Sequence, residues 1–186
     1  TPEARKARLG QEPFVLWITG LPRSGKSSLA YGLEQWLFEH QYLAQVLDGE
    51  ILRRGLSRDL GFSGADRWEN QRRAAEVARL NLESGLSTIV ALVAPLRSER
   101  EQAKAIVGAE RFLEVFCDAP LEACEARDTD GLYRRARAGE IANVTGVDAP
   151  YEPPNHPDLT LDTVASSAET NLDRVLALLR QRGLIR

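Results

Sequence analysis

The sequence predicts an α/β fold, in which a parallel sheet of five strands is covered by helices on both faces. Short apolar runs alternate with longer segments of helical periodicity along most of the 186 residues, and this alternation is typical of a parallel sheet. The run 88–93 is apolar almost throughout, as expected for a strand buried on both faces. We expect one domain over residues 14–186, preceded by a linker or helical extension over residues 1–13.

The predicted strands are five short apolar runs. They span residues 14–19, 42–47, 88–93, 112–117 and 159–161. In the predicted helices, apolar residues recur three and four positions apart. The helices span residues 3–9, 26–37, 66–83, 97–107, 120–127, 131–138 and a closing segment around 172–179, with a short helical piece within 51–61. Gly85 is expected to end the helix 66–83, and the Gly-, Pro- and Asn-rich segment 139–157 is expected to form a loop or lid.

Composition excludes several classes of protein. The formal net charge of −3 argues against a surface that coats nucleic acid. No apolar run approaches the length of a membrane span, and no signal peptide is visible. Cys117 and Cys124 are too few for a disulfide framework, so we expect two reduced thiols in a cytoplasmic protein. Because methionine is absent, we expect the chain to be a processed or excised piece of a larger polypeptide.

The most specific motif runs from Gly20 to Ser27 and has the pattern G-x-x-x-x-G-K-[ST] of a phosphate-binding loop, or P-loop. It lies between a predicted strand and a predicted helix, as the motif requires. Gly20 and Gly25 let successive backbone N–H groups point at one anion, and the helix adds the positive end of its dipole. The alternative is a glycine turn without a ligand. The motif favours a P-loop NTPase-type kinase domain over residues 14–186.

The motif also predicts how ATP and Mg²⁺ are held. Lys26 is expected to reach the β- and γ-phosphates from a solvent-facing loop, and Ser27 is expected to offer its hydroxyl to Mg²⁺. The residues expected to contact ATP here are Gly20, Leu21, Pro22, Arg23, Ser24, Gly25, Lys26, Ser27 and Ser28.

Two carboxylates follow the second predicted strand. Ligands of an open parallel sheet bind beyond the carboxyl ends of the strands, and Asp48 and Glu50 lie at that edge. They could act as a base and as a metal or ribose contact. The alternative is that Asp48 only caps the short helix that follows.

Basic and aromatic residues follow the second and third strands. Arginine suits an anionic second substrate, because its planar fork matches phosphate or sulfate oxygens. The candidates are Arg53, Arg67, Asn70 and Arg97, with Phe62 as a residue that could stack on a base. The alternative for the arginines is a solvated face, and the alternative for Phe62 is a small hydrophobic anchor.

A basic run precedes the predicted lid. Small kinases need a mobile segment that excludes water and brings positive charge to the transferred phosphoryl group. The run contains Arg127, Arg134, Arg135 and Arg137. An exposed basic helix that neutralises neighbouring acids is an equally good interpretation.

Together these segments resemble one family, the adenylylsulfate (APS) kinases. The resemblance runs from about residue 14 to the closing helix and keeps both order and spacing, so it is far more specific than the phosphate-binding loop alone. The segments that carry it include Leu47-Asp48-Gly49-Glu50, Asp59-Leu60-Gly61-Phe62-Ser63, Cys124-Glu125-Ala126-Arg127-Asp128, Gly131-Leu132-Tyr133, Thr145-Gly146-Val147-Asp148 and Pro150-Tyr151-Glu152. The resemblance implies that ATP, with Mg²⁺, phosphorylates the ribose 3′-hydroxyl of APS to give PAPS and ADP.

The resemblance also implies roles for single residues. Asp48 is the candidate base for the 3′-hydroxyl, Arg127 lies near the ATP base, and Phe62 stacks on the APS adenine. The residues expected to contact APS are Asp48, Glu50, Arg53, Phe62, Arg67, Asn70, Val93, Ala94, Arg97, Arg134 and Val144. The family occurs alone or fused to ATP sulfurylase, and we expect a homo-oligomer that binds neither nucleic acid nor membrane.

Three features depart from the family pattern. Pro22-Arg23-Ser24 replaces the usual Ser-Gly-Ala of the loop, and Ala94 stands where the third strand usually ends in Ser. Val144 stands where the family usually has a lid phenylalanine that covers the second face of the APS adenine, and the resemblance implies that a stack of about 1–3 kcal/mol is lost. Two alternatives therefore remain: a kinase of the same fold that acts on another small nucleotide conjugate, or a non-catalytic domain that binds APS or PAPS as a regulator.

Overall fold

The structure, a computed structural model, describes all 186 residues and contains one parallel sheet. The strands are β1 (Val15–Thr19), β2 (Ala44–Asp48), β3 (Ser87–Ala91), β4 (Phe112–Asp118) and β5 (Leu159–Asp162). Their order across the sheet is β2-β3-β1-β4-β5, and every pairing is parallel. The predicted α/β fold with five parallel strands is therefore confirmed.

Eight α-helices connect or flank the strands. They are α1 (Pro2–Leu9), α2 (Lys26–Glu39), α3 (Gly49–Arg54), α4 (Gly64–Ser84), α5 (Arg97–Val107), α6 (Leu121–Ala126), α7 (Leu132–Arg137) and α8 (Ala168–Gln181). Gly85 ends α4 with a φ of 86°, a left-handed conformation that glycine adopts without a steric penalty. No helix combines the length and the apolarity that a membrane span requires.

The sheet separates two hydrophobic cores, and β1 contributes to both. Side chains alternate along a strand, so Leu16 and Ile18 pack with α2 and α8, whereas Val15 and Trp17 face the other way. On this second side, α4 packs through alanines that include Ala74 and Ala78. Because both faces are covered, every residue of β1 is buried, and only the ends of the strands remain open to ligands.

Residues 1–13 are attached to the domain by polar contacts. The side-chain amide of Gln11 donates hydrogen bonds to the carbonyl oxygens of Leu43 (2.9 Å) and Gly85 (2.8 Å). Arg5 of α1 donates to the carbonyl oxygen of Glu83 at the end of α4 (2.8 Å). The start of the chain therefore packs as a helical extension on the loops that precede β2 and β3.

Candidate active site

The phosphate-binding loop connects β1 to α2 and depends on two glycines. A Cβ atom at Gly20 would lie 2.6 Å from the carbonyl oxygen of Cys117 and 2.6 Å from Oγ of Ser24, so no other residue fits there. Gly25 adopts a φ of 97° at the N-cap of α2. The turn is thus narrow enough for its backbone N–H groups to converge on one anion.

Lys26 lies inside this loop rather than on its solvent side. Its side chain is buried, and its ammonium group donates to the carbonyl oxygen of Leu21 (2.7 Å) and contacts Oγ of Ser24 (3.5 Å). Burial lowers the pKa of Lys26 to about 8. The expectation that Lys26 acts from a solvent-facing loop is wrong for its side chain, because the loop closes over the lysine and supplies its acceptors.

Asp48 joins the loop to the end of β2. Its Oδ2 accepts a 2.6 Å hydrogen bond from the hydroxyl of Ser27, and its Oδ1 accepts one of 2.9 Å from the backbone N–H of Glu50. Asp48 therefore caps α3 and also faces the predicted Mg²⁺ ligand. The carboxylate of Glu50 instead forms an exposed ion pair with Arg54, so the two predicted carboxylates do not form a pair.

Arg53 and Phe62 are in contact on the far side of Asp48. The guanidinium carbon of Arg53 lies 4.2 Å from the centroid of the Phe62 ring, and the ring remains 60 % exposed. Burial, followed by the positive charge of Arg67, lowers the pKa of Arg53. Neither Arg53 nor Arg67 forms an ion pair with an acid. This corner of the site therefore has positive charge without a matching anion, beside an open aromatic face.

The side chains of α4 connect this corner to the lid. The guanidinium of Arg67 donates to the hydroxyl of Thr145 (2.7 Å). Asn70 follows Arg67 by about one turn of α4. Asn70 is buried, and its side-chain oxygen has no hydrogen-bond partner. A buried acceptor without a partner is rare in folded proteins, so Asn70 is suited to receive a hydrogen bond from a ligand.

Residues 139–157 contain no helix or strand, in agreement with the predicted loop, but they are well organised. Both carboxylate oxygens of Asp148 accept backbone N–H groups, from Asn143 (2.7 Å) and Val144 (2.6 Å). These hydrogen bonds lower the pKa of Asp148. Val144 is buried in a small cluster with Ala119, Cys124 and Tyr133. Its contact with a substrate base stays a prediction, because the side chain faces the protein interior here.

The loop after β3 holds the other end of the lid. Ala94 adopts a φ of 45°, and the carbonyl oxygen of Val93 accepts from the hydroxyl of Thr19 (2.7 Å). Arg97 donates its backbone N–H to the carboxylate of Glu152 (2.8 Å) and its side-chain Nε to the carbonyl oxygen of Pro153 (2.7 Å). Arg97 therefore fastens the lid in this structure, and a contact with APS would have to replace or extend these bonds.

The basic run divides into residues with different partners. Arg127 donates to the carbonyl oxygen of Thr163 (2.6 Å), and Arg137 pairs with Glu125 (2.8 Å). The side chain of Arg134 is exposed and forms no ion pair. Among the predicted arginines of α7, Arg134 is thus the one whose charge is available to a phosphoryl group.

A cleft of about 550 Å³ lies between the phosphate-binding loop and the lid. Leu21 forms one wall, and the lid residues 146–151 form the other. The hydroxyl of Tyr133 on α7 donates to the carbonyl oxygen of Pro22 (2.8 Å) and so ties the two sides together.

Several residues that hold the site together were missed by the sequence reasoning. Arg100 is 3 % exposed and donates to Glu114 (2.7 Å) and to the carbonyl oxygens of Ala94 (2.7 Å) and Glu152 (2.8 Å). Its partners lie in three separate segments, two of them 14 and 52 residues away in the sequence, so no local pattern marks it. Tyr133 and Asp148 lie within segments that carry the family resemblance, and this resemblance is the sequence signal that could have identified them as site residues.

Comparisons with known proteins agree with this geometry. The model of the family described as adenylylsulphate kinase matches residues 12–162. An adenylyl-sulfate kinase of Marinobacter nauticus is 47 % identical over 186 residues, which are 100 % of this chain and 94 % of that protein. The bifunctional enzyme NodQ of Azospirillum brasilense is 49 % identical over 97 % of this chain, which spans 29 % of that longer enzyme. A solved Mycobacterium tuberculosis APS kinase, in complex with AMPPNP and APS, superimposes with a TM-score of 0.87 at 46 % identity, covering 91 % of this chain and 99 % of that one.

Proposed function

The chain belongs to the adenylylsulfate kinase family and is an ATP-dependent kinase, and from this premise we propose that it phosphorylates the 3′-hydroxyl of APS, with PAPS and ADP as products. The observation that carries the proposal is the 2.6 Å contact between Ser27 and Asp48. It brings the loop that would hold the ATP phosphates next to a carboxylate, on the side where Arg53 and Arg67 have no acidic partner.

The ATP half of the site rests on the loop and on Lys26. The backbone N–H groups of the loop would bind the phosphates, and Lys26 would exchange its bond to Leu21 for a phosphate oxygen. Such an exchange favours the charged ammonium and so opposes the effect of burial, which lowers the pKa of Lys26. Arg127, fastened to Thr163 at the end of β5, would lie beside the ATP base.

The residues present also fit Mg²⁺. The Ser27 hydroxyl and the Asp48 carboxylate are oxygen ligands of the kind this ion prefers. When bound, Mg²⁺ would neutralise the charge that develops on the β- and γ-phosphates. Asp48 would remain in place through its bond to the N–H of Glu50, because that bond does not involve Ser27.

The APS half of the site rests on the unpaired cations and the exposed ring. Arg53 and Arg67 would bind the phosphosulfate, since a guanidinium fork matches its oxygens. The open face of Phe62 would stack on the adenine. Asn70 would satisfy its buried oxygen with a donor from the same nucleotide.

The transfer step follows from the position of Asp48. As the bond from the 3′-oxygen to the γ-phosphorus forms, the bond from that phosphorus to the β,γ-bridging oxygen breaks and ADP leaves. Asp48 would orient the 3′-hydroxyl and accept its proton. Arg134 on α7 would bring positive charge to the transferred group as the lid excludes water.

A coupled assay that measures ADP release, with APS present or absent, tests the proposal. We expect release only with APS, and PAPS as the second product. ADP release that depends on another nucleotide conjugate, found in a substrate panel, would favour the alternative kinase. Binding of APS or PAPS without any ADP release would favour the regulatory domain. In each series the Lys26→Ala variant serves as the inactive control.

The surroundings of the reaction are part of the proposal. ATP and two free buried cysteines favour the cytoplasm. Association with an ATP sulfurylase, on the same chain or as a separate protein, would supply APS directly. We also expect the chain to form a homo-oligomer, which light scattering on the purified protein measures directly.

A further inference from the structure

One residue of the phosphate-binding loop has a side chain whose role the motif does not explain. Arg23 adopts a φ of 63°, a left-handed conformation that is unfavourable for any residue with a Cβ atom. The resembling family usually has glycine there. Backbone strain of this kind persists where a function requires it, so the arginine side chain itself needs an explanation.

The side chain of Arg23 reaches from the phosphate-binding loop to Asp130. The two form an ion pair, with 36 % of the Arg23 side chain and 60 % of the Asp130 side chain exposed. Asp130 lies in the bend between α6 and α7, three residues after Arg127 and immediately before Gly131, the N-cap of α7. The pair therefore joins the phosphate-binding loop to the bend that precedes α7.

An exposed ion pair of this kind is weak, at about 0.2–1 kcal/mol, and it is easily exchanged. A nucleotide triphosphate brings several negative charges and bidentate oxygen acceptors to the same place, which favours a guanidinium over a single exposed carboxylate. Arg23 is also close enough to Lys26 that, after the larger effect of burial, its charge contributes to lowering the pKa of that lysine. The positive charges of Arg23 and Lys26 are therefore close enough to interact.

We propose that Arg23 and Asp130 form an exchangeable latch, in which Asp130 holds Arg23 in the empty enzyme and Arg23 transfers to the nucleotide phosphates on binding. This inference rests on the proposed function, because it assumes that the loop binds ATP. Release of Asp130 would free the bend before α7, which continues into the lid. Occupation of the phosphate site would then be coupled to the segment that carries Arg134.

The latch predicts opposite effects for its two partners. In Asp130→Asn, Arg23 is no longer held, so we expect AMPPNP to bind about two- to fivefold more tightly, as expected for an exposed pair. In Arg23→Asn, the backbone conformation is tolerated but the charge is lost, so we expect affinity to fall about tenfold or more. In the double variant the gain from Asp130→Asn should disappear, and in Arg23→Lys part of the affinity should return.

Titration calorimetry with AMPPNP, ADP and AMP on the full chain measures these effects. The differences in affinity between the variants and the original protein should decrease from AMPPNP to AMP, because Arg23 acts on the phosphates. These differences should also be smaller at high salt. Asp173→Asn and Arg8→Asn remove the same charges at exposed positions outside the site, and they should bind like the original protein. If the original protein binds no nucleotide, the proposed function fails. If it binds AMPPNP but both latch variants weaken binding equally, or neither changes it, the latch is wrong and the proposed function stands.

Discussion

The hydroxyl of Tyr133 donates a 2.8 Å hydrogen bond to the carbonyl oxygen of Pro22, in the middle of the phosphate-binding loop. Tyr133 is 1 % exposed, and burial raises its pKa, so the phenol stays protonated and remains a donor. Because Tyr133 belongs to α7 and packs against Val144 of the lid, the loop and the lid share one small core. A change in one is therefore expected to reach the other.

Replacement of Tyr133 by phenylalanine tests this connection. It removes only the hydroxyl and leaves the partly buried carbonyl oxygen of Pro22 without its donor, which costs about 0.5–1.5 kcal/mol. We expect Tm to fall by roughly 2–4 °C, together with a higher KM for ATP. Tyr42→Phe is the matched control, since it loses a hydrogen bond to the N–H of Arg186, far from the cleft. Equal kinetic effects in the two variants would contradict a specific link to the loop.

Lys26 should be essential for turnover and dispensable for folding. We expect Lys26→Met to abolish ADP release, because the positive charge on the moving phosphoryl group is lost. The methionine should preserve packing at this buried position better than alanine does. Comparison of Tm and activity for Lys26→Met and Lys26→Ala separates the two effects. Near-normal turnover in either folded variant would show that the loop is not the ATP site.

Asp48 has two roles that two substitutions can separate. Asp48→Asn keeps an oxygen for the N–H of Glu50 but loses the base, so we expect kcat to fall about 10²–10⁴-fold with Tm nearly unchanged. Asp48→Ala also loses the cap of α3 and should cost about a further 1 kcal/mol of stability. Steady-state kinetics and thermal unfolding of both variants measure this. Loss of ATP binding with kcat preserved would contradict the role of Asp48 as the base and leave only a role in holding the metal.

The burial of Val144 changes what a phenylalanine at this position should do. The family resemblance alone, in which a lid phenylalanine at this position stacks on the APS adenine, predicts that Val144→Phe tightens APS binding. The side chain instead lies inside a packed cluster, and overpacking costs about 1–3 kcal/mol. We therefore expect a lower Tm and no gain in APS affinity, with Val144→Ile intermediate in stability. Tighter APS binding at an unchanged Tm would mean that the lid presents this residue to the substrate.

Acid should weaken the lid through Asp148. Backbone N–H groups of Asn143 and Val144 hold the pKa of Asp148 below its ordinary value of 3.8. A lowered carboxyl pKa stabilises the folded state above the ordinary value, and this contribution is lost as pH falls through the folded pKa. We expect Asp148→Asn to have a lower Tm than the original protein at neutral pH, with the gap closing below about pH 3.8. A gap for Asp148→Asn that stays constant with pH would contradict the assignment.

The parts of the fold that local sequence determines were predicted well. The helix over Arg97–Val107 has the predicted bounds, and Gly85 ends α4 in the conformation that only glycine adopts easily. Such features depend on neighbours three or four residues away, so a periodic pattern is enough to reveal them.

The parts of the site that depend on long-range packing could not be predicted from periodic patterns in the sequence. Arg100 looks like a surface residue of a charged helix, yet it is buried and bonded to Glu114 and Glu152, which are 14 and 52 residues away in the sequence. Arg23 finds Asp130 across more than half of the chain, and Val144 is covered by residues from α6 and α7. These contacts exist only after the elements have packed, so periodicity does not contain them.

The strand order also limits when this protein can become active during its synthesis. β1 lies at the centre of the sheet, and both of its neighbours, β3 and β4, come later in the chain. The narrow turn at Gly20 is closed by Cys117 near the end of β4. A ribosome-bound chain that has not yet released β4 therefore lacks one wall of the nucleotide site, and non-local pairing of this kind forms slowly. The growing chain must reach β4 before it can gain stability from ATP.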